Sequence, residues 1–320
     1  MKCSRLLLPS LFSVTSICAP ALSSRTLADS SYESLAARIN DYILDKDARI
    51  GVGLIVNGHD TVEVNGHRDF PMLSVYKFPQ ALAVADYCQR NGISFSDSID
   101  ISPGLIEENT WSPLREKYGR GNLRLPISEL LAFSLQLSDN NACDILFDLT
   151  GGPSVADSLM TASGFPDIRL INTEAQMHDD IYLCYQNRTT PVAISALTDR
   201  FNLIAHQEGH PLWHEIGQMM ETCDTGADRI MAPLTDKDVI VGHKTGTGDR
   251  NSQGRLIGVN DVAYVNMPDG QRYALSVFIS DAACSVSECA AIIAGISDIV
   301  YATLSSGNDL LPSDSLQHGN

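Results

Sequence analysis

Strand-like alternation at both ends of the chain, with a long helical stretch between, limits the fold more than any other feature. Residues 50–57 set Ile50, Val52, Leu54 and Val56 at the two-residue period of a strand, and 61–66 follows after a turn at Asn57, Gly58 and His59. The pattern returns only near the C-terminus. There Val239–Val241 leads into a glycine-rich turn, and 256–266 and 272–280 flank Pro268–Asp269–Gly270 as a hairpin. Between these ends, roughly 75–225 carries helical periodicity, with loops expected at Pro103, Pro126, Gly151–Pro153 and Gly164–Pro166. Two further helices are predicted. One spans 30–46, with Ser30 and Glu33 as a capping box and Leu35, Ile39, Tyr42 and Ile43 on one face; the other spans 285–304, opened by Ser285 and Glu288. A sheet assembled from both ends of the chain around an inserted helical block is an α/β (α+β) arrangement.

The first residues read as an export signal. Lys2 and Arg5 precede a mostly apolar or small stretch, Leu6 to Leu22, and cleavage is expected after Ala28 or after Ser23. Pro9 and Pro20 argue against a buried helix there, and Ile17 before Cys18 argues against a lipoprotein anchor. A periplasmic or secreted protein is expected, with 306–320 as a polar, flexible tail. No run of about 18 consecutive apolar residues occurs, so no membrane span is expected. Residues 1–28 hold three basic and no acidic side chains, so their removal takes the formal charge from −17 to about −20. Such an acidic surface repels phosphate backbones and disfavours nucleic acid as a partner. Six cysteines then remain: Cys88, Cys143, Cys184, Cys223, Cys284 and Cys289. Export permits disulfides, but spacing alone does not choose the pairs, and paired C-x-x-C motifs for structural zinc are lacking.

Three short motifs carry the chemistry. Ser74-Val75-Tyr76-Lys77 is S-x-x-K, Ser138-Asp139-Asn140 is S-D-N, and Lys244-Thr245-Gly246 is K-T-G. An S-x-x-K arises by chance about once in a chain of this length; the other two are rarer, and all three in this order are hard to ascribe to accident. At a helix start, positions i and i+3 share a face, so Lys77 is expected to reach back to Ser74 Oγ. Serine needs a neighbour to take its proton, and Lys77, in a cationic cleft with Lys244, can share that role. The helix terminus favours negative charge beside Ser74. The bland alternative for the pair is a capped helix with a solvated lysine.

On these motifs the chain resembles the class A serine β-lactamases and, more distantly, the penicillin-binding proteins, over nearly all of its mature length. The resemblance implies an antiparallel five-stranded sheet flanked by helices, with 29–73 and 226–305 forming the sheet domain and 74–225 an all-helical domain. The latter would include an Ω loop at about 169–188. It further implies hydrolysis of penicillins and cephalosporins, hence antibiotic resistance, through an acyl-enzyme on Ser74. Arg169-Leu170-Ile171-Asn172-Thr173-Glu174 resembles the family's Ω-loop entry, which makes Glu174 the base for the deacylating water. By the same resemblance Ser138 relays a proton to the lactam nitrogen, and Asn140 contacts Lys77 and the substrate's side-chain amide. Lys244, Thr245 and Gly246 form the edge that binds the substrate carboxylate. The backbone N–H groups of Ser74 and Thr247 would make the oxyanion hole. Trp111-Ser112-Pro113 resembles the aromatic segment at the cleft mouth, against the alternative of a tryptophan packed as loop core. Thr225-Gly226-Ala227-Asp228-Arg229-Ile230 resembles a segment bearing a carboxylate-binding arginine, which suggests Arg229, because Gln253 occupies the alternative position. Arg255 is a less favoured substitute, and Arg229 paired to an acid is the structural alternative.

One departure matters. The family usually has asparagine four residues after the glutamate, where this chain has His178. Glu174-Ala175-Gln176-Met177-His178 resembles the divergent extended-spectrum, PER-type branch, in which the Ω loop is rearranged and the cleft widened. That, with Gly248 after Thr247, suggests oxyimino-cephalosporins among the substrates. His178 or Gln176 is expected either to assist the water or to pack.

Three rival functions fit parts of this pattern. A D-alanyl-D-alanine carboxypeptidase or other penicillin-binding enzyme would share the motifs but not Glu174, and a non-catalytic β-lactam sensor would keep its acyl group. A metallohydrolase on His206, His210 and His214 is undercut by Gly209 and Pro211, which break any shared helix. Cys143 and Cys184 read as core or disulfide residues, not nucleophiles. The expected mechanism requires no metal or cofactor, its partner is the small β-lactam, and a monomer is expected.

Overall fold

The computed structural model describes residues 25–307; the predicted export segment before residue 25 and the tail beyond 307 lie outside the described residues. Helix α1 (Arg25–Ile43) begins before the expected capping box, so Ser30 and Glu33 lie inside it. An S-x-x-E spacing also fits within a helix, which is why the start was misplaced. Leu35, Ile39 and Ile43 are buried at helical spacing, as the sequence suggests.

A hairpin, β1 (Arg49–Val56) and β2 (Asp60–Val64), follows, and Phe70–Pro71 forms the two-residue strand β3. The helical block contains α2 (Lys77–Asn91), β4 (Ser98–Ile101), α3 (Pro113–Tyr118), β5 (Leu123–Pro126), α4 (Ile127–Gln136), α5 (Asn140–Thr150) and α6 (Pro153–Ala162). It continues through α7 (Glu174–Asp179), β6 (Arg188–Thr189), α8 (Pro191–Ala205) and α9 (Pro211–Glu221). The block is therefore not purely helical: β4 pairs with β5, and β6 pairs with β3. Pro126 and Pro153, expected in loops, end a strand and open a helix. At a helix start the missing N–H costs nothing, because that donor has no partner within the helix anyway.

The chain returns to the sheet through β7 (Ile240–Thr247), β8 (Leu256–Asn266) and β9 (Arg272–Ala282), then closes with α10 (Val286–Gly307). The five strands run β2-β1-β9-β8-β7, every pair antiparallel, as the resemblance implied. β1 pairs with β9 from Arg49↔Ser280 to Val56↔Tyr273, which joins the two ends of the chain. No turn forms at Gly242 and Gly246, contrary to the glycine-rich turn expected there. Both lie within β7, where the missing side chains let Tyr264 and the turn before Ser74 approach the backbone.

Alternate residues of β9 enter different cores. Leu275, Val277 and Ile279 pack with Leu35, Ile39, Ile293 and Ile296, while Phe278 joins the helical block, its ring 6.0 Å from that of Phe70. Both sheet faces are thus covered, which explains the nearly unbroken burial of β8 and β9. By length and a mean hydropathy of 1.5, Val286–Ser306 of α10 could cross a membrane, a property that counting consecutive apolar residues overlooked. Its Cys289, Ile292, Ile293, Ile296, Val300 and Leu304 are buried in the core shared with the sheet and α1. Ser285 and Glu288 do cap it: Ser285 N–H donates to Glu288 Oε2 at 2.8 Å and Glu288 N–H donates to Ser285 Oγ at 3.2 Å.

Candidate active site

Ser74 lies in a short 3₁₀ turn, Leu73–Tyr76, that runs directly into α2 and faces a cleft. The residue before it, Leu73, has φ +50°, a left-handed backbone that a leucine adopts only when its surroundings impose it. Three contacts supply the constraint. Met72 N–H donates to the Asn187 carbonyl (2.8 Å), and the buried Asn260 amide of β8 donates to the carbonyls of Pro71 (2.8 Å) and Met72 (3.1 Å). Gly246 completes the fit: a Cβ there would stand 2.6 Å from the Met72 carbonyl oxygen and 3.1 Å from Ser74 N. Glycine in K-T-G is thus a requirement of close packing, since its φ is not in the left-handed range.

Lys77, at the first position of α2, is fully buried. Its ammonium donates to the Ser138 carbonyl (2.8 Å) and Asn140 Oδ1 (2.7 Å), and lies 3.0 Å from Glu174 Oε1. Ser74 Oγ is not among these partners, so the expected direct reach from Lys77 to Ser74 is replaced by a bridge from S-D-N to Glu174. Asn140 is held at its other end too, with Nδ2 donating to Thr110 Oγ1 (2.8 Å). Ser138, at φ +57°, accepts at Oγ from Lys244 Nζ (3.1 Å), which also donates to the Thr245 carbonyl (3.0 Å). Complete burial pulls the Lys244 ammonium down to about 8, and the nearby charges of Lys77 and Arg229 act in the same direction. Thr245 Oγ1 meets Thr225 Oγ1 at 2.6 Å.

The segment bearing Glu174 closes on itself. Arg169 and Arg188 exchange backbone hydrogen bonds, and Arg169 grips Asp157 through Nε and Nη2. Inside the loop, Asn187 Oδ1 accepts from the N–H groups of Ile171 (2.7 Å) and Asn172 (2.9 Å). Thr173 and Gln176 form a capping box at the start of α7, so Gln176 is spent on that cap. Asp144 of α5 accepts from the N–H groups of both Glu174 and Ala175, at 2.8 Å each. Burial raises the Asp144 carboxyl to about 6 against the pull of these two donors. His178 is exposed and lines the cleft wall; packing in a core, one of the two roles considered for it, is not what it does.

The cleft encloses about 380 Å³, bordered by Ser74, Ser138, Glu174, Thr245 and Thr247. Trp111 stands at the rim, 60% exposed, its indole N–H donating to the Leu137 carbonyl (2.9 Å); it is not loop core. Arg229 lines the cleft, yet Nη1 donates to the carbonyls of Asn260 (2.7 Å) and Gly246 (3.1 Å), and Nη2 donates to Thr247 Oγ1 (2.6 Å). It is not paired to an acid, so that alternative is set aside. Arg255 is occupied elsewhere, by Asp47 and the Asp281 carbonyl.

Comparison with known proteins meets this geometry. The sequence model of the Beta-lactamase enzyme family matches residues 34–304. The β-lactamase VEB-1 of Pseudomonas aeruginosa is 36% identical, covering 78% of this chain and 83% of its own length. The extended-spectrum β-lactamase PER-1 of the same organism is 30% identical, over 83% and 86%. The solved TLA-1 extended-spectrum β-lactamase superposes with a TM-score of 0.82 at 34% identity, covering 86% of this chain and 99% of that one. The chain belongs to the class A β-lactamases.

This β-lactamase is of the PER/VEB-like kind that the segment around His178 resembled. It is a serine β-lactamase that hydrolyses β-lactams, which decides against the carboxypeptidase and sensor readings. The histidine cluster is split between the end of α8 and α9, with Gly209 at φ +91° between them; His206 Nε2 pairs with Glu221 and His214 Nδ1 with the Ala205 carbonyl. Sequence reasoning missed three residues that shape the site. Asp139 is buried and caps α5, accepting from Ala142 N–H (2.8 Å), Leu114 N–H (2.6 Å) and Ser112 Oγ, which ties the Trp111 segment to S-D-N. Its place just before a helical run was a readable cap signal. Asn260 was signalled only as a polar residue in a buried strand. Asp144 had no local signal at all.

Proposed function

We propose that the enzyme works by acylation of Ser74 followed by attack of a water activated by Glu174. The observation that carries this reading is the 3.0 Å contact of Glu174 with Lys77 in the cleft that Ser74 faces. In the first step Ser74 Oγ attacks the lactam carbonyl and gives up its proton to the Lys77–Glu174 pair. The oxyanion is met by the backbone N–H groups of Ser74 and Thr247. Ser138, hydrogen-bonded to Lys244, passes a proton to the departing nitrogen and regains one from the Lys77–Glu174 pair, so the amide bond is exchanged for an ester and Glu174 is left ionised. Glu174 then takes a proton from water, whose oxygen attacks the ester; the ester C–O bond breaks and the proton is returned to the departing Ser74 Oγ. Lys244 and Thr245 bind the substrate carboxylate. Arg229 acts through Thr247 and the β7 backbone, because its Nη groups already hold both. Trp111 offers an exposed ring for stacking on the substrate.

Stopped-flow hydrolysis of a chromogenic cephalosporin tests the scheme. In Glu174→Ala, deacylation is expected to slow far more than acylation, turnover to fall at least about 100-fold, and the acyl-enzyme to persist in an intact-mass spectrum. Unchanged steady-state turnover would remove Glu174 as the base, and loss of wild-type activity to EDTA would remove the serine mechanism.

The range is proposed to include oxyimino-cephalosporins, supported by the similarity to extended-spectrum enzymes and by Gly248, which adds no side chain beside Thr247. Export to the periplasm or medium is proposed from Lys2, Arg5 and the apolar stretch after them; N-terminal sequencing of exported protein checks it. Function as a monomer is proposed, and sedimentation of the purified protein checks it.

A further inference from the structure

Away from the cleft, Cys284 follows the end of β9 and Cys289 lies in the first turns of α10. All six described cysteines are free thiols, and the sulfur atoms of this pair are 3.2 Å apart. The other contacts recorded for sulfur differ in kind: Cys143 meets Tyr76 Oη and Gln80 Oε1, and Cys223 meets Thr225 and the carbonyls of Leu135 and Gln136. Cys284 is partly open to solvent, whereas Cys289 is fully buried. The four residues between them are already ordered by the Ser285–Glu288 capping box, so joining the sulfurs asks for little new order.

The geometry points to Cys284 and Cys289 as a dithiol that thiol–disulfide exchange converts to a disulfide, with a small-molecule or protein disulfide as the oxidant. Cys284, the accessible sulfur, loses its proton to solvent and attacks one sulfur of the oxidant, RSSR, releasing RS⁻. Cys289 then loses its proton and attacks the Cys284 sulfur of the mixed disulfide, expelling the second RS⁻. Two electrons pass to the oxidant, and two protons end on two RSH. Burial pushes the Cys289 thiol up to about 12, in keeping with its acting second, on a disulfide already held beside it. The new bond ties the end of a central strand to α10. It also fixes the Cys284 carbonyl, which accepts from Arg250 Nη2 (3.1 Å) of the β7–β8 loop.

The test uses the whole chain, reduced with dithiothreitol, desalted, and held with or without glutathione disulfide before denaturation and alkylation with iodoacetamide. Cleavage after Glu288 puts the two cysteines on different peptides. With oxidant, these peptides are expected to stay joined until reduction, to escape alkylation, and to weigh two hydrogen atoms less than their sum. Cys284→Ser should abolish the joined species, and Cys289→Ser should leave glutathione on Cys284. Should the buried Cys289→Ser not fold, Cys284→Ser carries the comparison, with cephalosporin hydrolysis as the measure of folding. The oxidised wild type should also unfold a few °C above the reduced form, a difference Cys284→Ser lacks. Full alkylation of both cysteines after oxidant, a lasting glutathione adduct on wild-type Cys284, or a bridge among other cysteines would overturn the assignment.

Discussion

Lys244 is an ammonium kept in a place that does not favour its charge. Its folded-state value of about 8 lies below the usual lysine range, so between these values the unfolded chain binds more protons than the native one. Below about 8 the burial penalty is fully present; it is relieved as pH rises from about 8 toward the ordinary lysine value. On the proposed mechanism function follows the opposite trend, because Lys244 loses the charge assigned to the substrate carboxylate. We expect kcat/KM for an anionic cephalosporin to fall on an alkaline limb near pH 8, and Lys244→Arg to move that limb beyond the accessible range. A pH–rate profile with the same limb in both proteins would assign it to another group. Gly246 makes a second prediction at this scale. Its missing Cβ lets β7 lie against Met72 and Ser74, so Gly246→Ala should displace the oxyanion donors and lower kcat by about 10- to 100-fold. The loss in stability should be smaller, on the order of 1–3 kcal/mol by urea titration.

Helix α7 shows how an element too short to stand alone is kept in place. It has only the residues Glu174–Asp179, and its start is satisfied from two sides, by the Thr173–Gln176 capping box and by Asp144 of α5. Asp144→Ala leaves the N–H groups of Glu174 and Ala175 without their acceptor and should cost about 1–2 kcal/mol. Because those groups aim Glu174, deacylation should slow more than acylation, and the acyl-enzyme should accumulate under pre-steady-state conditions. Asp144→Asn, which keeps one acceptor oxygen, should fall between. The raised Asp144 value sets a pH signature. The protonated carboxyl contributes stability below the ordinary aspartate range, and that contribution is lost as pH rises through about 6. Thermal unfolding of the wild type should therefore decline from about pH 4 to 6 relative to Asp144→Asn. The sequence made α10 and the β8–β9 hairpin legible, because their caps and turn residues act within a few positions. It misjudged the start of α1, because an S-x-x-E spacing also fits inside a helix, and the extent of β7, where Tyr264 and the turn before Ser74 press on the glycines.

At the scale of the molecule, a single sheet separates two cores and serves both. Phe278 enters the helical core from the same strand that sends Leu275, Val277 and Ile279 to α1 and α10. Phe278→Ala should cost about 3–5 kcal/mol in chemical denaturation and loosen the seat of Phe70, two residues before the Met72 anchor. A cost below about 1 kcal/mol would mean that the two cores are not coupled through this strand. The sequence by itself determined that strands at both ends flank a mainly helical block, the three motifs, the glutamate of the loop and the split histidine cluster. Each of these is written in residue type and short spacing, which backbone geometry converts directly into position. Tertiary structure alone decided that Lys77 turns to Ser138, Asn140 and Glu174, that Arg229 is spent on Thr247 and the β7 backbone, and that Asp144 and Asn260 brace the site. Those partners lie from 17 to 189 residues apart along the chain. A hydrogen bond over that distance exists only once packing has fixed both ends, so no local pattern encodes it.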